Sequence, residues 1–166
     1  MIASQRPAWR DFHVHFNGGE ILREIHRSAL VPYSAEDMFE LVNDVESYPG
    51  FLPWCRSAEV EKISEDELKA GLEFAKSGLH RRFTTHNRLD RGRAIRMDLV
   101  NGPFRVLSGQ WVFQPLGQGG SKVALDLRFE FASRLLEAVF APVFGEVMNS
   151  LVDAFVERAH ELHHAV

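Results

Sequence analysis

The sequence contains a single cysteine, Cys55, among its 166 residues. One thiol cannot form a disulfide within the chain, and it cannot build a zinc site from cysteines. Since disulfides persist in oxidising compartments, the lack of a second cysteine indicates a reducing, cytoplasmic setting. This excludes the small domains that disulfides or cysteine-bound zinc hold together.

Long apolar runs are also missing. No stretch approaches the roughly 18 consecutive apolar residues that predict a membrane-spanning helix, although peripheral contact with the inner membrane is compatible with the sequence. Residues 1–19 lack the apolar centre of a signal peptide. We interpret residues 1–19 as an N-terminal extension and residues 20–164 as one domain, which the chain length allows.

Neither sign of charge dominates, because the formal net charge is −4. No DNA binding is expected from this balance, but the charges are unevenly distributed. Residues 35–74 hold eleven acidic and three basic side chains, whereas residues 80–96 hold six arginines and one aspartate. The arginines predict either phosphate contact, with RNA or an anionic membrane, or a solvated sheet face that balances nearby acids. The six are Arg81, Arg82, Arg88, Arg91, Arg93 and Arg96.

Tyrosine is scarce, with 2 residues against 13 phenylalanines. Phenylalanine offers apolar area without a hydrogen-bonding group. Such a composition suits a large core and equally suits an apolar pocket, so composition does not separate the two.

Alternating and helical spacings of apolar residues predict an α+β domain. Glu20–Val31 is the first predicted strand, and Ser34 caps a helix that runs to about Val42. A short helical turn follows at residues 45–48. A tract that includes Ser108 and Gly109 predicts a β-bulge there. Six further strands are predicted, at residues 57–63, 67–77, 80–89, 94–100, 104–115 and 122–131.

The last predicted element is a long amphipathic helix after Ser133. Pro142 lies inside it, so its first part should be kinked or form a separate short helix. Short turns between consecutive strands make an antiparallel meander. Its apolar face needs a cover, which only the C-terminal helix can provide.

Two motifs resemble those of a known family. Residues 48–55 read YPGFLPWC, similar to the Y-P-x-F-L-P-W-C signature of the coenzyme-Q-binding START-like family. Residues 102–113 resemble that family's G-P-F-x-x-L-x-G-x-W-x-F strand, and residues 23–28 resemble its first strand. The family includes bacterial ribosome association toxins (the RatA family) and belongs to the polyketide cyclase/dehydrase superfamily. The resemblance covers about residues 20–162.

The resemblance implies a helix-grip fold, in which a seven-stranded antiparallel sheet wraps around a long C-terminal helix and two short helices follow the first strand. It implies noncatalytic binding of ubiquinone or a similar lipophilic molecule, in support of respiration, with no required cofactor. It also implies an alternative, binding of the large ribosomal subunit that blocks subunit association. A polyketide cyclase-like enzyme is a third hypothesis, but we expect no enzyme, because we find no acid/base pair or activated nucleophile.

The motif at residues 48–55 predicts either a lid over a cavity or a plug that fills one end of the fold. Inward-facing residues of the strands and the last helix would serve as core, as pocket, or as both. Burial of an isoprenoid tail would contribute about 25 cal/mol per Å². The predicted ligand-binding residues are Tyr48, Phe51, Leu52, Trp54, Phe74, Phe83, Met97, Leu99, Phe104, Trp111, Phe113, Phe129, Phe144, Val147, Met148 and Leu151.

Overall fold

Eight antiparallel strands form one sheet in the computed structural model of the chain, which describes residues 12–17 and 20–164. The order in the sheet is β1-β2-β8-β7-β6-β5-β4-β3. Consecutive strands from β3 to β8 are therefore neighbours, and β2 pairs with the last strand of this meander. The strands are β1 Phe12–Asn17, β2 Glu20–Val31, β3 Cys55–Ser64, β4 Glu67–Lys76, β5 Leu79–Asp90, β6 Ala94–Asn101, β7 Phe104–Leu116 and β8 Gly120–Phe131.

The predicted helix-grip class is confirmed, since the seven predicted strands are present as β2 to β8 and a long helix follows them. Strand β1 is an addition. It is antiparallel to β2, and in this pairing Phe12 lies opposite Ile25 and Asn17 lies opposite Glu20. The sheet thus continues into the segment that the sequence indicates as an extension; the remainder of that segment lies outside the described residues.

Helix α1, Ala35–Asn43, begins where its cap predicts. The Ser34 hydroxyl oxygen accepts a hydrogen bond from the backbone N–H of Asp37 at 3.0 Å, which satisfies one of the free donors of the first turn. Met38 and Phe39 are fully buried on its inner side. A 3₁₀ turn at Val45–Gly50 follows and leads into β3.

Helix α2, Arg134–His164, is continuous through Pro142. The prediction of a separate first helix is therefore wrong. Proline removes one backbone donor but is compatible with helical dihedrals, and Pro142 lies on the exposed side of α2. By length and composition alone Arg134–His163 could cross a membrane. We interpret it as the core helix, because it packs on β2 and β8.

Strand β7 has no bulge at Ser108, so that prediction is wrong: Ser108 lies opposite Arg128 and Gly109 opposite Leu127, in unbroken register. The irregularity lies between Phe104 and Val106. The glycine has another cause, since a Cβ at Gly109 would lie 2.3 Å from the backbone oxygen of Asp126. Close approach of two backbones requires the glycine here.

The inner face of the sheet is covered unequally. Helix α2 packs on β2 and β8, and α1 packs mainly on β7 and β8. Side-chain hydrogen bonds join α2 to β2, where Arg27 donates to the Asn149 side chain at 2.8 Å. The inner face of β4 to β6 is less covered, so Leu72, Met97 and Leu99 are only half-buried. This uneven cover places an internal space beside β4 to β6.

Candidate functional site

A cavity of about 80 Å³ lies between the inner face of the sheet, the 3₁₀ turn and α2. Its wall is almost entirely apolar. Eight of the predicted ligand-binding residues line it: Tyr48, Trp54, Phe83, Met97, Trp111, Phe144, Met148 and Leu151.

The other predicted residues are not part of this wall. Phe104 and Phe129 pack against Phe144 with ring centres 5.1 and 4.9 Å apart, so they belong to the aromatic core. Phe113 packs against Phe39 at 5.7 Å. Leu52, Phe74 and Val147 are buried in the core, while Phe51 and Leu99 are half-buried at its margin.

The motif at residues 48–55 folds inward and forms one wall of the cavity. The hydroxyl of Tyr48 donates to the backbone carbonyl of Val42, and the ring packs against Phe155 with centres 5.2 Å apart. Burial raises the pKa of Tyr48 far above its ordinary value, so the hydroxyl stays protonated. Trp54 packs beside Phe74 at 5.6 Å. These contacts make the segment a packed end wall.

Cys55 follows this wall and is 3% exposed. Its thiol donates a weak hydrogen bond to the backbone carbonyl of Ser57 at 3.4 Å. Burial, and secondarily the charge of Glu73, raise the pKa of Cys55 to about 11. A thiol that keeps its proton at neutral pH is a poor nucleophile, so the geometry assigns Cys55 a structural role.

The polar part of the cavity wall comes from two residues that the sequence analysis does not include among its site residues, Thr85 and Asn87. They are 7% and 5% exposed. The Thr85 hydroxyl donates to the Asn87 side-chain carbonyl at 2.7 Å. The alternation in β5 places both on the inward side with Phe83. The signal that could have identified them is a polar side chain at an inward position.

The six predicted arginines are all exposed, but their surroundings differ. Arg82 lies 3.5 Å from the Glu59 carboxylate. Arg91 lies 3.5 Å from Asp66 and also donates to a backbone carbonyl. The guanidinium of Arg81 lies 5.5 Å from the ring centre of Phe140.

Arg93 borders an open cleft that also contains Glu36 and Glu40. The acidic neighbours partly offset its charge. Arg93 is therefore a weaker candidate for an anion contact than an arginine without acids beside it.

Arg88 and Arg96 form a like-charged pair. They lie directly opposite each other on β5 and β6, on the outer face of the sheet. Like charges at such positions are unfavourable. In the part of the chain that the structure describes, neither guanidinium forms an ion pair. Glu67 lies opposite Arg88 on β4, but its carboxylate lies 3.1 Å from His86. An anion with several oxygens, such as phosphate, would relieve this repulsion.

The family model described as "Polyketide cyclase / dehydrase and lipid transport" matches residues 31–156 of the chain. A "Ribosome association toxin RatA" from Pseudomonas aeruginosa is 48% identical over 139 residues, covering 84% of this chain and 96% of the relative. A protein with the same name from Escherichia coli strain K12 is 43% identical over 145 residues, covering 87% and 92%.

A more distant relative is the mitochondrial "Coenzyme Q-binding protein COQ10 homolog B" of Xenopus laevis. It is 28% identical over 144 residues, and the match covers 84% of this chain and 59% of that protein.

Solved structures have the same fold. An 18 kDa protein from Caulobacter crescentus matches with a TM-score of 0.68 and 31% identity, covering 85% of this chain and 98% of that one. The Zhui aromatase/cyclase from Streptomyces sp. R1128 matches with a TM-score of 0.71 at 19% identity, covering 84% and 94%. The second likeness concerns the fold alone.

Proposed function

The chain belongs to the polyketide cyclase / dehydrase and lipid transport family, and we propose that it is a ribosome-binding protein that hinders subunit association. Relatives that carry the name ribosome association toxin are 43 to 48% identical to it over most of both chains. They support this function more strongly than the ubiquinone binding that the sequence analysis ranks first. Its proposed place of action is the cytoplasm.

The observation that carries the proposal is the pair formed by Arg88 and Arg96. Two adjacent guanidinium groups can each donate two hydrogen bonds to phosphate oxygens. Binding would release counterions from the RNA, so it would weaken steeply with salt. The proposed partner is therefore the phosphate backbone of the large ribosomal subunit.

The first test is cosedimentation with purified large subunits at low and high KCl. The wild-type protein is expected to pellet at low salt and to remain in the supernatant at high salt. The double variant Arg88→Gln/Arg96→Gln should stay in the supernatant at both. Arg82→Gln is the matched control, because Arg82 lies on the same face of β5 but is paired with Glu59. Pelleting of the double variant like wild type would exclude this docking surface.

A second candidate function is binding of a lipophilic molecule such as ubiquinone in the cavity. The apolar wall and the printed name of the Xenopus relative support it. The cavity of about 80 Å³ is small beside ligand pockets of roughly 300–1,000 Å³. A tailed quinone would therefore require α2 to move away from β4 to β6. Met97 and Met148, both in the wall, are side chains that repack readily.

This second function is tested by mass spectrometry of an organic extract of protein purified from its own host. A stoichiometric lipophilic compound is expected from wild type and should be missing from Ala70→Phe, since Ala70 lines the cavity. Leu99→Phe, which lies outside the wall, is the control. An empty wild-type extract would exclude stable binding. Neither proposed function includes a catalytic step.

A further inference from the structure

The amide of Asn87 is incompletely hydrogen-bonded inside an apolar cavity. Its carbonyl oxygen accepts from the Thr85 hydroxyl at 2.7 Å. Across residues 12–17 and 20–164, no group accepts a hydrogen bond from its amide nitrogen. Since Asn87 is 5% exposed and lines the cavity, that donor has little access to bulk solvent.

The Asn87 amide nitrogen is not among the fully buried atoms without a partner, so it is reached from the cavity that Asn87 lines. An amide donor that faces an apolar space without an acceptor is unfavourable. An apolar residue of similar size would fill this position without that cost. The cavity therefore contains one unused donor at a defined place, surrounded by aromatic and aliphatic side chains. A ligand with an apolar body and one acceptor oxygen complements that arrangement.

We propose that the cavity binds a compact apolar carbonyl compound, or the compact carbonyl-bearing end of a longer one, whose oxygen accepts from the Asn87 amide. This rests on the second function above and specifies its ligand. Benzene, with six heavy atoms, occupies an engineered cavity of about 150 Å³; in proportion, a cavity of about 80 Å³ holds about three to four heavy atoms. Thr85 is a positioning residue, because its hydroxyl holds the amide carbonyl and so orients the amide nitrogen.

The test uses two small probes of one shape, acetone and 2-methylpropene, which carry C=O and C=CH₂ at the same place. Protein labelled with ¹³C in its methionine methyl groups reports binding, because Met97 and Met148 line the cavity. Both probes should shift these two signals. Because water solvates the ketone more strongly than the hydrocarbon, the quantity compared is the ratio of the two affinities, acetone over 2-methylpropene. This ratio should be about fivefold higher in wild type than in Asn87→Leu, the change expected for one net hydrogen bond.

Three variants locate the effect. Asn87→Leu should lower the affinity ratio while still binding the hydrocarbon. Thr85→Val keeps the side-chain shape and should lower the ratio less, and it carries the test if Asn87→Leu does not fold. Thr84→Val is the matched control, because Thr84 is the adjacent residue on the opposite face of β5.

The outcomes separate the two proposals. An affinity ratio that is the same in wild type and in Asn87→Leu would overturn the carbonyl proposal and leave cavity binding intact. If neither probe shifts Met97 or Met148, as when ordered water fills the space, both the carbonyl proposal and the cavity function are overturned.

Discussion

At the scale of single residues, Gly109 is the glycine with the least room for a side chain among those in the described residues. A Cβ there would lie 2.3 Å from the Asp126 backbone oxygen and 3.0 Å from Leu127 Cδ1. Gly109→Ala should lower the free energy of unfolding by about 3 kcal/mol or more, because two paired strands would have to separate. Urea denaturation measures this. Gly117→Ala is the control, since a Cβ at Gly117 meets nothing within 4 Å; equal stability of the two variants would contradict the close approach.

The raised pKa of Cys55 predicts how the free energy of unfolding depends on pH. Its pKa is raised from 9.0 to about 11 by burial, so the folded state favours the protonated thiol. That contribution to stability is fully present below pH 9 and is lost as the pH rises towards 11. Between these values, wild type should lose more unfolding free energy than Cys55→Ala does, as measured by urea denaturation at several pH values. Parallel losses would show that the thiol is not buried as described.

Alternation along a strand predicts the face of a residue but not its depth. Phe104, Phe113 and Phe129 do point inward as the pattern predicts, yet they pack with other aromatic rings and not around the cavity. The same alternation places Thr85 and Asn87 on the inner face of β5. Their role depends on which neighbours leave space beside them, and one-dimensional spacing does not contain that information.

At the scale of elements, the hairpin of β5 and β6 contains a like-charged pair that lowers the stability of the fold and that we propose as a binding site. Arg88 lies opposite Arg96, and removal of one like charge relieves the repulsion. Arg96→Gln should therefore raise the free energy of unfolding by about 0.2–1 kcal/mol while it weakens ribosome binding. Thermal denaturation at low salt measures the first effect.

The control is again Arg82→Gln, which removes an exposed ion pair with Glu59 and should leave stability unchanged or lower it by up to about 1 kcal/mol. A lower free energy of unfolding in Arg96→Gln would mean that Arg96 makes favourable contacts within the fold. That result would contradict the claim that Arg88 and Arg96 repel each other.

The strands β2 to β8 follow from the sequence because their alternation and turn residues agree. Strand β1 was missed, although Phe12, Val14 and Phe16 alternate and Asn17-Gly18 is a strong hairpin signal. The continuity of α2 rules out one of the two alternatives predicted at Pro142, the separate short helix. A proline predicts the loss of one hydrogen bond, but whether the helix continues depends on the packing of the turns on either side.

At the scale of the whole molecule, the two proposed sites lie on different sides of the sheet. The cavity is on the inner side, whereas Arg88 and Arg96 are on the outer face. Filling the cavity should therefore leave ribosome binding unchanged. Ala70→Phe is expected to cosediment with large subunits as wild type does, and loss of cosedimentation in a folded Ala70→Phe protein would mean that the cavity and the arginine pair are coupled.

The distribution of charge also belongs to this scale. Residues 35–74 carry eleven acidic side chains against three basic ones, whereas residues 80–96 are strongly basic. In the fold the two regions adjoin, since Arg82 lies 3.5 Å from Glu59 and Arg91 lies 3.5 Å from Asp66. The positive charge left to attract a polyanion is therefore that of Arg88 and Arg96, which form no ion pair among the described residues. Such a local positive site is how a protein with a net charge of −4 could bind a ribosomal subunit.

The central claim is that Arg88 and Arg96 contact ribosomal phosphates, and the salt dependence of binding tests it most directly. The slope of log K against log [KCl] would be measured for wild type and for Arg88→Gln/Arg96→Gln with purified large subunits. This slope is negative, and each lost phosphate contact should make it shallower by about 0.7 to 0.9. The account predicts a slope that is shallower by about 1.4 to 1.8 in the double variant. Identical slopes and affinities in the two proteins would contradict it.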